Sequence, residues 1–176
     1  MKVRDIALIG VFTALLIGGQ LALSAVSGVE VVTVLFLSFA YHFGVRRSLL
    51  VANAFSLLRC LIFGFFPTVI ILYLVYYNLF AVIFGLVGRL LGGKMNVKIH
   101  VLLIILAVIL TACFTLIDNV ITPLFYGFSP ETAQGYFIAS LTTMIPQIIC
   151  AFATTLLLLR PLILAYRRIK FARAFP

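Results

Sequence analysis

Polar or charged side chains interrupt the apolar stretches of this 176-residue chain, among them Glu30, Arg59, Asn78, Asp118, Asn119 and Gln147. Glu30 heads one apolar run, and Asp118 and Asn119 lie near the far end of another. Arg59 lies about twelve residues into its run, which at ~1.5 Å per residue is about 18 Å. Asn78 and Gln147 fall near the middle of theirs, and Asn53 belongs to the same set. A charge at the centre of a membrane helix costs about 2.5–3.5 kcal/mol even on the lenient insertion scale, so such groups face a bundle interior or a wet cavity. Glu30, Arg59 and Asp118 are therefore expected to approach one another around one polar cavity. The other reading is a buried ion pair that only fixes helix packing. Tyr73, Tyr76, Tyr77, Tyr136 and Phe137 add rings beside these groups. An apolar face with a hydrogen-bonding tip suits a planar or ring-bearing ligand, although each ring alone also fits a packing or interface role.

Other chemistries find no support. The chain has no phosphate-cradling glycine loop, no HExxH and no GxSxG. His42 and His100 have no carboxylate or cysteine nearby in sequence, and Cys60, Cys113 and Cys150 form no CxxC. The cysteines read as small buried hydrophobes. The expectation is a protein that is not an enzyme and carries no cofactor or metal.

Long apolar elements must position these groups. The chain is 65% hydrophobic and 10% charged, where soluble domains carry about 25% charged residues. Its mean hydropathy is +1.30. Six crossing segments are predicted: Ile6–Val26, Val29–Phe43, Ser48–Phe63, Thr68–Leu91, Ile99–Ile121 and Ala133–Leu164. The second is short and the last exceeds the ~20 residues that a bilayer needs. The first is too long for a signal-peptide core, so it is expected to stay.

The net charge is +9, and all 13 basic residues except Arg59 fall on alternate connections and at the two ends. That pattern reads as topology rather than nucleic-acid binding, and the positive-inside rule makes both termini cytoplasmic. The expected protein is an all-α, multi-pass plasma-membrane bundle in a single domain. The Thr122–Thr132 connection, rich in Pro, Gly, Ser and Thr, is expected to be a loop. Its Phe125, Tyr126 and Phe128 read as interfacial anchors or as a lid. In the first segment Gly10, Ala14 and Gly18 recur every four residues and form a stripe with almost no side chain. Such a stripe admits a close helix, either within the bundle or from another membrane subunit. Inverted halves, common in self-sufficient transporters, are not visible. Uphill transport by this chain would draw its energy from a partner.

The six short segments, the size, the stripe in Gly10–Gly18 (GVFTALLIG) and the run Ser24–Phe65 (SAVSGVEVVTVLFLSFAYHFGVRRSLLVANAFSLLRCLIFGF) carry a resemblance. The chain resembles the substrate-binding membrane subunit, or S component, of energy-coupling factor importers. The run Val29–Thr33 is similar to a branch whose second helix starts V-E-L-V-T. The resemblance implies capture of a vitamin or related micronutrient, with a lean to cobalamin from that branch. It also implies association with a shared membrane subunit and two cytoplasmic ATPases. The stripe Gly10, Ala14 and Gly18 would contact the shared subunit. The ligand region maps onto Glu30, Arg59, Tyr77, Asn78, Asp118, Asn119 and Gln147. Two other readings stay open: a structural protein of the rod-shape-determining type, and an ion-coupled carrier using Glu30 or Asp118.

Overall fold

The computed structural model describes residues 3–26 and 29–168, so Lys2, Ser27, Gly28, Lys170 and Arg173 lie outside the described part. Among the described residues the chain is all-α. Its helices are α1 (Val3–Leu23), α2 (Val32–Phe43), α3 (Val45–Phe63), α4 (Pro67–Leu90), α5 (Val97–Tyr126) and α6 (Pro130–Arg167). Four of them, α1, α4, α5 and α6, are long and apolar enough to cross a membrane. The two that fall short do so for different reasons. α3 carries Arg46, Arg47 and Arg59 in 19 residues, and α2 has only 12 residues, or about 18 Å.

That shortness is explained by position. Every residue of α2 except Leu35 is buried. α2 touches all five other helices, which follow one another around it in the order α1, α3, α4, α5, α6. Side chains bridge the gap between the last and the first, where the Phe12 and Tyr166 rings stand 6.1 Å apart. A helix walled by protein on every side meets apolar neighbours whatever its length, so α2 reads as continuously hydrophobic. It ends at Gly44, whose φ of 82° and ψ of 169° suit only glycine. That single residue turns the chain into α3.

The described basic residues other than Arg59 gather at one end of the bundle. There Arg47 Nη2 stands 2.9 Å from Asp5, Tyr41 donates its hydroxyl to the Lys94 carbonyl, and Arg167 donates to the Gly93 carbonyl at 2.9 Å. At this end α4 meets the α2–α3 turn backbone to backbone. A Cβ built on Gly88 would lie 2.1 Å from the Tyr41 carbonyl oxygen, and one on Gly85 would lie 2.7 Å from the Val45 nitrogen. The stripe of α1 behaves in the opposite way. Gly10, Ala14 and Gly18 are exposed, and Ala22 extends the row by another turn. A Cβ on Gly10 or Gly18 would meet nothing within 4 Å. Among the described residues the stripe therefore takes no part in packing.

The Thr122–Thr132 loop is much shorter than expected. α5 continues through Pro123 to Tyr126, and Ser129 caps α6 by accepting from the Thr132 N–H at 3.3 Å. Only Gly127–Ser129 remains as a link. Pro123 lies inside the last turns of α5 and leaves the Asn119 carbonyl without its intrahelical donor. The aromatics of this region form a ladder. Phe125, Tyr126, Phe128 and Tyr136 follow at centroid distances of 5.2, 6.1 and 5.9 Å. α6, at 38 residues, is about 57 Å long. It packs on α5 and α2, and none of its residues before Ala151 is buried.

Candidate functional site

At the end opposite the basic residues, two adjoining chambers open among α2, α4, α5 and α6. The inner one encloses about 40 Å³ and is lined by Glu30, Thr33, Tyr73, Tyr76, Tyr77, Thr111, Phe114 and Gln147. The outer one, about 290 Å³, lies between the arms of the α5–α6 hairpin and is lined by Phe114, Thr115, Asp118, Tyr136, Ala139, Ser140, Thr143 and Gln147. Phe114 and Gln147 line both and form the partition between them.

Glu30 is held from two directions. Its carboxylate accepts from the Thr33 hydroxyl at 2.5 Å. Its backbone N–H donates to Cys150 Sγ at 3.3 Å, while the Cys150 thiol donates to the Glu30 carbonyl at 3.2 Å. Cys150 is thus a strap between α6 and the start of α2, more than the space-filling hydrophobe expected. Gln147 stands nearly one turn earlier on α6, so a single helix sets both groups. Pro146 precedes it and relieves the Thr142 carbonyl of its intrahelical donor.

Tyr73, Tyr76 and Tyr77 sit at positions i, i+3 and i+4 of α4 and so share one face. All three are buried. Tyr77 lies 5.2 Å from Tyr73 and 5.1 Å from Tyr76, and Phe114 closes the group at 4.8 Å from Tyr76. Gln20 of α1 donates to the Tyr73 hydroxyl at 3.0 Å. The inner chamber is an aromatic box with one carboxylate in its wall.

Asp118 spans the outer chamber. It accepts from Thr122 at 2.8 Å and from the Tyr136 hydroxyl at 2.5 Å, so α5 holds α6 across the chamber through a charge-assisted bond. Asn119 does not line either space. It donates to Ser140 at 2.8 Å, behind the wall that Ser140 presents, and its buried carbonyl oxygen finds no partner.

The expected cluster of Glu30, Arg59 and Asp118 does not form. Among the described residues no ion pair joins Arg59 to either carboxylate, and Arg59 lines neither chamber. Its guanidinium carbon lies 4.2 Å from the centroid of the Tyr73 ring and 5.3 Å from that of Phe63. Cation–π contact of about 0.5–2 kcal/mol replaces an ion pair that would have to desolvate two charges. Asn78 is also elsewhere. Its amide and that of Asn53 exchange hydrogen bonds at 3.1 and 3.2 Å, and each also donates to its own helix, at Leu74 and Leu49. This pair staples α3 to α4.

Glu30, Tyr77, Asp118 and Gln147 are therefore brought together, whereas Arg59, Asn78 and Asn119 serve the packing around them. Thr33, Thr111, Phe114, Thr115, Ser140 and Thr143 complete the lining and carried no sequence signal of their own. Hydroxyls are quiet in apolar helices because they can bond back to the preceding turn, as Thr143 does to the Ser140 carbonyl at 2.9 Å. Chemically the two chambers offer acceptors and aromatic faces. Among the described residues no three His, Cys, Asp or Glu side chains converge as metal ligands. No protein-family model, curated protein or solved structure matches the chain.

Proposed function

We propose that this chain is the substrate-capturing membrane subunit of an importer of the energy-coupling factor type, binding a small water-soluble vitamin or related micronutrient. The observation that carries the reading is the pair of connected chambers at the end remote from the basic residues. They hold two carboxylates with no cation between them, beside three tyrosines and Phe114. In this reading the bundle lies in the plasma membrane with both termini and the basic end in the cytosol. The chambers then face outward. Acceptor-rich, aromatic walls favour a ring compound that presents N–H or O–H donors. The larger chamber, at about 290 Å³, lies near the lower bound of ~300 Å³ for ligand sites. That volume favours a one- or two-ring compound and argues against a corrinoid such as cobalamin, which is several times larger.

The exposed row Gly10, Ala14, Gly18 supports the partner half of the proposal. In lipid, association gains little from hydrophobicity and depends on close backbone approach over small residues. A second membrane subunit on this face, joined to two ATPases, would supply the energy that the chain has no motif to generate.

The test is mass spectrometry of small molecules released from protein purified in mild detergent from cells given mixed vitamins. One compound recovered near one per chain is the expected result. Recovery of nothing, with no thermal stabilisation by any vitamin, would refute the reading. Uptake that survives deletion of the ATPases but collapses with an uncoupler would replace it with an ion-coupled carrier.

A further inference from the structure

A third cavity lies at the basic end, far from the two chambers. It encloses about 300 Å³ between the first turns of α5 and the last third of α6. Its rim and its floor differ in chemistry. At the rim Met95 and Val97 flank Asn96, with His100 and Arg160 beside them; deeper along the helices come Val101, Ile104 and Leu156. From Asn96 to Ile104 is eight residues of helix, about 12 Å. The cleft thus passes from a mixed rim that carries a cation to an apolar floor over the depth of a lipid's headgroup and first methylenes.

The rim is electropositive, and among the described residues no carboxylate opposes it. Asn96 caps α5 by accepting from the Ile99 N–H at 2.9 Å, which leaves the earlier N–H groups and the positive end of the helix dipole facing the cleft mouth. His100 Nε2 lies 3.3 Å from the Thr155 carbonyl; a carbonyl only accepts, so that nitrogen carries the proton. Arg160 is exposed and, among the described residues, makes no ion pair or hydrogen bond. The chain has four side-chain carboxylates, Asp5, Glu30, Asp118 and Glu131. Only Asp5 belongs to this end, and it faces Arg47 at 2.9 Å. Among the described residues no carboxylate neutralises Arg160.

We infer that this cleft holds one anionic phospholipid, with its phosphate on Arg160 and the α5 N-terminus and an acyl chain against Val101, Ile104 and Leu156. A basic pocket between membrane helices is the recognised setting for such headgroups. The polarity gradient selects a lipid over a free phosphate, which would leave the apolar floor unused. The site is independent of the vitamin reading, since it shares no residue with either chamber.

The experiment is native mass spectrometry of the purified chain in dodecyl maltoside with added phosphatidylglycerol, phosphatidylcholine or glycerol 1-phosphate. Phosphatidylglycerol should be retained at one per chain in preference to phosphatidylcholine. Arg160→Gln should lower that retention about tenfold, whereas Arg89→Gln, also at the basic end but outside the cleft, should leave it unchanged. Leu156→Phe, which fills the floor without touching a charge, should lower it as well. Equal retention of the two lipids would overturn the proposal, as would equal behaviour of the two arginine variants. Competition by glycerol 1-phosphate as strong as that by the lipid would make the site an anion site and refute the acyl-chain half.

Discussion

The two kinds of glycine in this chain make opposite predictions under the same substitution. Gly88→Ala puts a methyl group 2.1 Å from the Tyr41 carbonyl oxygen and 2.8 Å from its carbon. A carbon–oxygen contact normally lies at about 3.3 Å, so α4 and α2 must part by about 1.2 Å. Both groups are backbone, and no side-chain rotation relieves the contact. Overpacking of this kind costs about 1–3 kcal/mol, and a backbone clash belongs at the upper end. For a chain of this length that is about 6–12 °C of Tm. Gly10→Ala meets nothing within 4 Å and gains helix propensity of up to ~1 kcal/mol, so its Tm should hold or rise slightly. Both variants can be melted in the same detergent, following the near-ultraviolet signal of the seven tyrosines. Gly88→Ala melting with the parent would refute the close α4–α2 approach. Gly10→Ala falling as far as Gly88→Ala would refute the outward stripe and, with it, the partner face.

The remaining predictions concern the polar groups. Asn78→Leu leaves the Asn53 amide half-satisfied and should destabilise by about 1–3 kcal/mol; the double variant with Asn53→Leu should recover part of that loss, and ligand affinity should not move in either. Tyr136→Phe removes the 2.5 Å bond to Asp118 and should weaken ligand binding about tenfold in a thermal-shift titration with the recovered vitamin. A change confined to Tm, with affinity intact, would make that bond purely structural. Arg59→Leu should impair uptake more than Arg46→Leu, because only Arg59 braces Tyr73. Arg59→Lys should fall between them, since a compact ammonium stacks less well on a ring than a guanidinium does.

Polar residues were the legible part of this chain and apolar ones were not. Glu30, Asp118 and Gln147 stood out because a polar group in an apolar run has few places to go, and all three reach the chambers. The same logic flagged Asn78 and Arg59, but it cannot tell which partner satisfies a group. Asn78 found a second asparagine and Arg59 a tyrosine ring. The helices themselves were legible in number and nearly in length. What periodicity could not convey is which apolar face meets protein and which meets lipid, because both surroundings select the same side chains. So α2, although visible as a short run, gave no sign that the other five helices surround it. Likewise Gly85 and Gly88, which carry the closest internal approach, look no different in sequence from Gly10 and Gly18, which touch nothing.

The enclosure of α2 bears on how the chain is made. Helices leave the ribosome in order, and a 12-residue helix falls well short of the ~20 residues that hold a crossing unaided. The one-residue link at Gly44 couples it to α3, and Arg46 and Arg47 lie just past that link, where cationic retention fixes the side on which a hairpin turns. In the proposed membrane reading, α2 and α3 would therefore enter the bilayer as one unit, hung by the arginine pair. α4, α5 and α6 emerge later to close the walls. Until then α2 is sheltered only by α1 and α3, and that interval is when a membrane chaperone would have most to protect.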